Sequence, residues 1–239
     1  MLYQDQMLQD SPGQIARLKL LAQCVTGATL ALGVVSVFLP DYHHLAATAL
    51  IALPWIAVWL VARYQPLYRF GSKSNEGHPD LTAVLMLPGL MLAWFSLREA
   101  HTFDSSGPWM LAFMGGLALS AAALRVDPWL RQQPLIAFVL CLFMLPYGYG
   151  AGMEIDVVAD PTRPNVYPTQ VLGKRVSYGS KTNTYYLSVE PWGPITEADE
   201  ISVSAARYGA TGTGDTVCVY VGKGALHVRW YRVEDCPKN

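Results

Sequence analysis

The chain has 239 residues, a formal net charge of -1, and 15% charged against 52% hydrophobic side chains. Soluble domains carry roughly 25% charge, so this composition excludes an ordinary soluble globule. The near-neutral balance, with no basic stripe, removes any electrostatic case for nucleic acid. The average hides a division. From Leu20 to Ala62 only Asp41 is formally charged, whereas from Glu154 onward polar and charged residues return at ordinary density. The division predicts a membrane α-helical bundle of about five transmembrane helices over residues 1–152. A small all-β C-terminal domain, a sandwich or partly open barrel, is expected over residues 153–239.

The segment Met1 to Ala16 is polar and lacks a basic stretch followed by a cleavable apolar core, so it does not read as a signal peptide. Ser11-Pro12 is a helix start, with Ser as N-cap and Pro at the first helical position. Crossing a hydrocarbon core of about 30 Å takes about 20 residues. By that length test the spans are Leu18 to Leu39, Leu45 to Ala62, Leu81 to Leu97, Trp109 to Leu124 and Leu135 to Gly148. Arg17, Lys19, Arg63, Arg69, Lys73, Arg125 and Arg131 fall on one side of this map and Arg98 alone on the other. The bias sets the N-terminus in the cytoplasm and the C-terminal domain outside. The expected location is therefore a bacterial inner membrane, multi-pass, with the C-terminus in the periplasm. Tyr42, Tyr64, Trp94, Trp109, Trp129, Tyr147 and Tyr149 stand at span ends as an interfacial belt.

The span interiors hold almost no ionisable groups, which argues against a pump or proton-coupled transporter. Pro54, Pro88 and Pro146 kink their helices. Ala112, Gly116 and Ser120 recur at a spacing of four and make a small-residue face suited to close helix packing. His43, His44 and His101 share the outer layer with Asp41, Glu99 and Asp104, a donor set able in principle to hold a transition metal. Adjacent His43 and His44 cannot easily aim at one ion, so no metal is expected. The run Tyr147-Gly-Tyr-Gly-Ala-Gly152 reads as a helix end with aromatic anchors. The prolines at 161, 164 and 168 then keep a linker extended.

Beyond the linker, period-2 patterning between Gly-rich breaks predicts strands at Val171 to Tyr178, Thr184 to Glu190, Ile201 to Ala205, Val217 to Val221 and Leu226 to Val233. Gly222-Lys-Gly224 is read as a hairpin turn. It is not a phosphate loop, because it lacks a hydroxyl residue after Lys and a following helix. No Gly-x-Ser-x-Gly elbow occurs, and His227 is the domain's only His, with nothing in the sequence to poise it. No catalytic or cofactor-binding residue is assigned, and no cofactor is expected. Tyr186 and Tyr220 fall on strand faces opposite Leu187 and Val219, and Trp192 stands in a Pro-flanked turn. Aromatic groups outside a core are contact anchors, so these three form a candidate interaction surface.

The segments Tyr147-Gly-Tyr-Gly150, Tyr185-Tyr-Leu-Ser-Val-Glu-Pro-Trp-Gly193, Gly214-Asp-Thr-Val-Cys-Val219, Gly224-Ala-Leu226 and Trp230-Tyr231, ending at Cys236, resemble an uncharacterised class of bacterial inner-membrane proteins with a C-terminal β domain. The resemblance implies location and architecture and carries no established activity. In layout alone the chain also resembles membrane proteins that end in a small OB-like β domain. Cys218 and Cys236 are a candidate disulfide, suited to an oxidising compartment. A hairpin about Lys223 would set Cys218 opposite roughly Arg229, and Cys236 would then lie over 20 Å away at about 3.3 Å per residue. Bridged Cα atoms lie within about 7 Å. A bridge therefore requires a sharp fold-back of the tail or a longer turn.

These readings converge on a polytopic inner-membrane protein whose periplasmic β domain is a binding or assembly module. Its expected partners are the lipid bilayer and a protein in the membrane or periplasm, with no nucleic acid. The rival readings are a membrane-surface enzyme, using His227 or the outer His cluster, and an accessory subunit of a transporter.

Overall fold

The structure, a computed structural model, describes residues 12–38, 43–65, 68–71, 79–99, 101–179 and 183–236. The expectations on Ser11, Asp41, Tyr42 and Lys73, and on the side chains of His43, Arg98 and Glu99, fall outside what is described. The chain divides into two compact units, one of Met1–Ala93 with Trp109–Glu154 and one of Trp94–Pro108 with Ile155–Asn239.

The first unit is helical. Its helices are α1 (Pro12–Phe38), α2 (His43–Arg63), α3 (Thr82–Glu99), α4 (Ser106–Val126), the short α5 (Pro128–Arg131) and α6 (Pro134–Val158), with the ends of α3, α4 and α6 passing into the second unit. The segments His44–Arg63, Ser106–Val126 and Pro134–Val158 are long and apolar enough to cross a membrane, while Lys19–Val35 and Thr82–Leu97 are shorter apolar segments. Five spans of membrane length were expected, and among the described residues three meet that test. Large apolar side chains such as Trp59, Met114, Leu117, Leu135 and Phe138 are exposed.

The run Tyr147 to Gly152 is not a helix end. It lies inside α6, which continues to Val158. Glycine propensity is overruled there by packing. A Cβ on Gly148 would collide with Ala112 O and Gly116 N of α4, and one on Gly150 would collide with the backbone of Leu92 and Ala93 in α3. The Tyr147 hydroxyl donates to Ile51 O of α2 at 2.8 Å and accepts from Trp55 Nε1 at 2.8 Å. This one stretch therefore gathers α2, α3 and α4 around α6. At the start of α5, buried Asp127 caps the helix by accepting from Trp129 N and Leu130 N. Its second oxygen accepts from Phe70 N at 2.9 Å and pins the 68–71 segment.

The second unit is a curled antiparallel half-barrel with short helical pieces. Its strands are β1 (His101–Thr102), β2 (Asn165–Tyr178), β3 (Asn183–Val189), β4 (Asp199–Val203), β5 (Thr216–Gly222) and β6 (Trp230–Glu234), in a 6-stranded sheet of order β1-β6-β5-β2-β3-β4. The 14-residue β2 serves two neighbours. Residues 165–170 pair with β5 and residues 171–178 with β3, and the register shifts by one residue between Val171 and Gly173. Such a bulge bends a strand and strengthens its twist, which lets the sheet curl. The core is Val171, Leu187, Val189, Trp192, Ile201, Val217, Val219 and Val233.

Of the segment expected as linker, residues 160–164 lie outside regular structure, while residues 165–168 belong to β2, with Pro168 opposite Cys218. The third strand ends at Val203, because Ser204 caps the short helix α7 (Ala205–Ala210) by accepting from Arg207 N at 3.2 Å. The last strand starts at Trp230, not Leu226, since Gly222 pairs with Trp230 and residues 223–229 form one long loop.

Candidate functional site

The 223–229 loop is held by two aspartates one helical turn apart. Asp156, in the last turn of α6, is fully buried; its carbonyl accepts from Ala225 N at 2.9 Å and its Oδ1 from Leu226 N at 2.6 Å. Asp160 Oδ2 accepts from Gly224 N at 2.8 Å, and its Oδ1 takes Thr162 N and Thr162 Oγ1 at 2.8 and 2.6 Å. The Thr162 hydroxyl, helped by these amides, holds the Asp160 carboxyl below the usual carboxylate range. Gly224 sits at φ 74°, and a Cβ there would collide with Asp156 Oδ2. The glycine amide at this turn does bind an anion, but that anion is a carboxylate of the same chain. Sequence reasoning missed both aspartates. The available signal was an Asp following an apolar run by a few residues and repeated at i+4.

Beside the loop is a shallow cleft of about 190 Å3 lined by Phe103, Asp104, Ser106, Gly107, His227, Val228 and Arg229. Ligand pockets run from about 300 to 1,000 Å3, so only an ion or a small group fits. Asp104 is occupied with the start of α4. It accepts from Ser106 N at 3.0 Å and from the Ser106 hydroxyl, and these bonds hold its carboxyl below the usual range. Arg229 stacks over the Phe103 ring at 5.4 Å. His227 is exposed, at φ 68°. In this cleft the Ser106 hydroxyl is hydrogen-bonded to Asp104, a pairing that also takes the Ser106 amide at the start of α4, so the cleft offers charge and a turn.

A second feature joins the two edges of the sheet. His101, on edge strand β1, donates from Nε2 to Ser202 O of the opposite edge strand β4 at 2.9 Å, which fixes the tautomer. Its ring lies 5.3 Å from that of Tyr231, and Phe103 follows with contacts to Tyr231 and Trp192 at 4.9 and 6.1 Å. Burial pushes the His101 pKa down, against the Ser202 carbonyl and Asp199, which raise it. His44, for its part, pairs with Glu154 at 2.9 Å. Among the described residues no group of three or more His, Cys, Asp or Glu side chains could hold a metal ion.

Of the candidate interaction surface, Trp192 is the correction. It is 3% exposed and belongs to the core, because a Trp192–Ile195 bridge with Gly193 at φ 47° turns the ring inward. Tyr186 is half-buried on the outer face beneath Arg175, whose guanidinium lies 4.5 Å from the ring centroid. Tyr220 is half-buried, and its hydroxyl donates to Asp235 O at 3.4 Å. Cys218 and Cys236 are disulfide-bonded, with Cα atoms 4.9 Å apart. The long 223–229 loop makes this reachable. It shifts the register so that Cys218 faces Glu234, two residues from its partner, where a short turn would have set it opposite roughly Arg229. No family model, no curated protein and no solved structure matches the chain.

Proposed function

We propose that this is a polytopic inner-membrane protein, N-terminus in the cytoplasm, whose β unit lies in the periplasm as a binding or assembly module. The observation that carries the reading is the Cys218–Cys236 disulfide in a unit that contains the end of membrane-length α6. Disulfides persist in oxidising compartments. The Lys and Arg bias points the same way, with seven of these residues on the N-terminal side of the map against Arg98. All five long helices are taken as spans. In support, α1 and α3 are apolar over Lys19–Val35 and Thr82–Leu97, and Gly33 of α1 lies close against Met91 of α3.

A binding role is favoured over catalysis by where the polar groups point. Asp104, Asp156 and Asp160 each accept backbone amides, whereas one face of β2 and β3 presents Arg175 and Tyr186 side by side. The resemblance to inner-membrane proteins with a C-terminal β domain agrees with this architecture. The test is a reporter active only in the periplasm, fused after Asn239, combined with purification of the full chain from native membranes in mild detergent. Reporter activity and a stoichiometric protein partner are expected. Activity from a cytoplasm-only reporter at that site would overturn the orientation, and a homogeneous chain with no partner would overturn the module.

A further inference from the structure

The 223–229 loop carries an inference that rests on the membrane reading above and goes beyond it. The loop is fastened to the ends of two helices that are each long enough to cross a bilayer. At α6 it hangs from Asp156, and at α4 Val228 packs so tightly on Gly107 that an added Cβ would lie 2.9 Å from Val228 Cγ2. Its exposed side chains are Lys223, Leu226, His227 and Arg229, and the apolar one stands beside apolar surface of α6. Leu226 is 41% exposed, and Ile155 and Val158, three residues apart on the last turn of α6, are 42% and 51% exposed.

An exposed Leu is ordinary on a protein surface, and alone it would mean nothing. The backbone makes the difference. Irregular chain can approach hydrocarbon only when its amides are satisfied from within, because each unsatisfied group there costs several kcal/mol. Here four consecutive amides are satisfied by the chain itself: Gly224 N by Asp160, Ala225 N and Leu226 N by Asp156, and His227 N by Gly224 O. Lys223 and Arg229, both exposed, flank the apolar tip, and long basic side chains at this level reach back to head groups.

We infer that the 223–229 loop is a lipid-interface anchor, with Leu226 inserted at the head-group and acyl boundary of the bilayer beside the ends of α4 and α6. The test uses the full chain in lipid nanodiscs, with Cys24→Ser and Cys141→Ser and a single reporter cysteine at Leu226→Cys. The cysteine carries an environment-sensitive fluorophore and is challenged with iodide and with head-group spin-labelled lipid. Phe143→Cys on α6 and Tyr178→Cys on β2, both at exposed positions, serve as lipid and water references. Mass spectrometry under non-reducing alkylation confirms that the Cys218–Cys236 bridge is intact in each variant. The label at 226 is expected to lose most of its iodide quenching relative to 178 and to be quenched by the spin-labelled lipid. Iodide quenching at 226 equal to that at 178, with 143 quenched by lipid, would sink the anchor and leave the membrane reading standing. Iodide access at 143 would sink both. Shielding of 226 from iodide and lipid alike would overturn the lipid assignment in favour of a protein covering the loop.

Discussion

In the helical unit glycines bring one backbone against another, and in the β unit a core of side chains holds the sheet. Gly148 and Gly150 bring α6 against the main chains of α4 and α3 with no room for a methyl group. The β unit instead buries Val171, Leu187, Val189 and Ile201 around Trp192, and ties its margins with a disulfide, a histidine and two aspartates. On the membrane reading proposed above, lipid around the helices and water around the sheet explain the contrast. Helices in lipid gain nothing from hiding apolar side chains from a medium equally apolar, so close backbone packing and small residues hold them together. A sheet of this size in water relies on apolar burial and has too little of it, so covalent and polar ties are added. Each half should therefore fail by its own route.

The largest effect is expected at Gly150. Replacing it by Leu places a side chain into the Leu92 and Ala93 backbone, which cannot yield as a side-chain tip can. Overpacking costs about 1–3 kcal/mol and occasionally more, and the backbone contact puts this site at the upper end. Thermal unfolding in detergent should show a large drop in midpoint, with little folded protein recovered. Gly27→Ala in α1 is the control. Nothing lies within 4 Å of its added Cβ, so stability should hold or rise by up to about 1 kcal/mol. Equal damage from both would remove the backbone-contact account.

Next comes the disulfide. Cys218 and Cys236 close a loop with a sequence separation of 18, and a loop of this order is worth about 2–4 kcal/mol. Cys218→Ser with Cys236→Ser should lower the urea midpoint of the β unit by that amount while the helical unit keeps its own transition. Peptide mapping after alkylation without reduction should recover Cys218 and Cys236 as one linked peptide in the parent chain. Two alkylated thiols there would contradict the bridge and, with it, the main support for an oxidising compartment.

How far the sequence foretold these ties differs by element. Long apolar runs declared the helix centres, because their period and length are local properties. The helix through Gly148 and Gly150 was read as ending there, because local propensity penalises glycine and the compensating contact is with residues far along the chain. Leu187, Val189, Ile201, Val217 and Val219 could be placed on one face from alternation alone. The edge strand β1 could not, since His101-Thr102 is too short to show a period and belongs to a loop outside the expected domain. Gly222-Lys-Gly224 imitates a short hairpin turn. Its true role depends on Asp156 and Asp160, and that partnership set the register, which in turn set the reach of Cys236 to Cys218. Trp192 was misplaced because the inward turn follows from Gly193 and the bridge to Ile195, which the Pro-flanked pattern leaves open.

A smaller effect should separate the β unit by pH. Burial is the main cause lowering the His101 pKa, so the folded state binds fewer protons than the unfolded one. Stability is then fully present above the ordinary value of 6.5. It declines as pH falls below 6.5, levelling off once the folded histidine also protonates. Tyr231 and Ser202 contact the ring, and the Asp199 charge also acts on it. Unfolding midpoints of the β unit measured from pH 8 to 5 should fall, and His101→Gln, which keeps a donor for Ser202 O, should flatten the slope. An unchanged slope in that variant would assign the pH dependence to another group.

The smallest effect on stability, and the sharpest on function, is expected at Tyr186. It lies on β3 facing away from Leu187, beneath Arg175, which pairs with Glu200 of β4. The three side chains sit on adjacent strands, with Arg175 opposite Tyr186 and Tyr186 opposite Ser202. Surface substitutions outside a core usually change stability by about 0.5 kcal/mol or less, so Tyr186→Ala should leave the β-unit midpoint nearly where it was. Recovery of the co-purified partner should fall sharply, because aromatic groups dominate contact energies at interfaces. Leu187→Ala, one residue away but fully buried, should do the reverse, costing about 2–5 kcal/mol through the cavity it leaves. It should affect partner recovery only in proportion to the folded fraction. Partner recovery from Tyr186→Ala equal to that of the parent chain would move the contact surface off this face of the sheet.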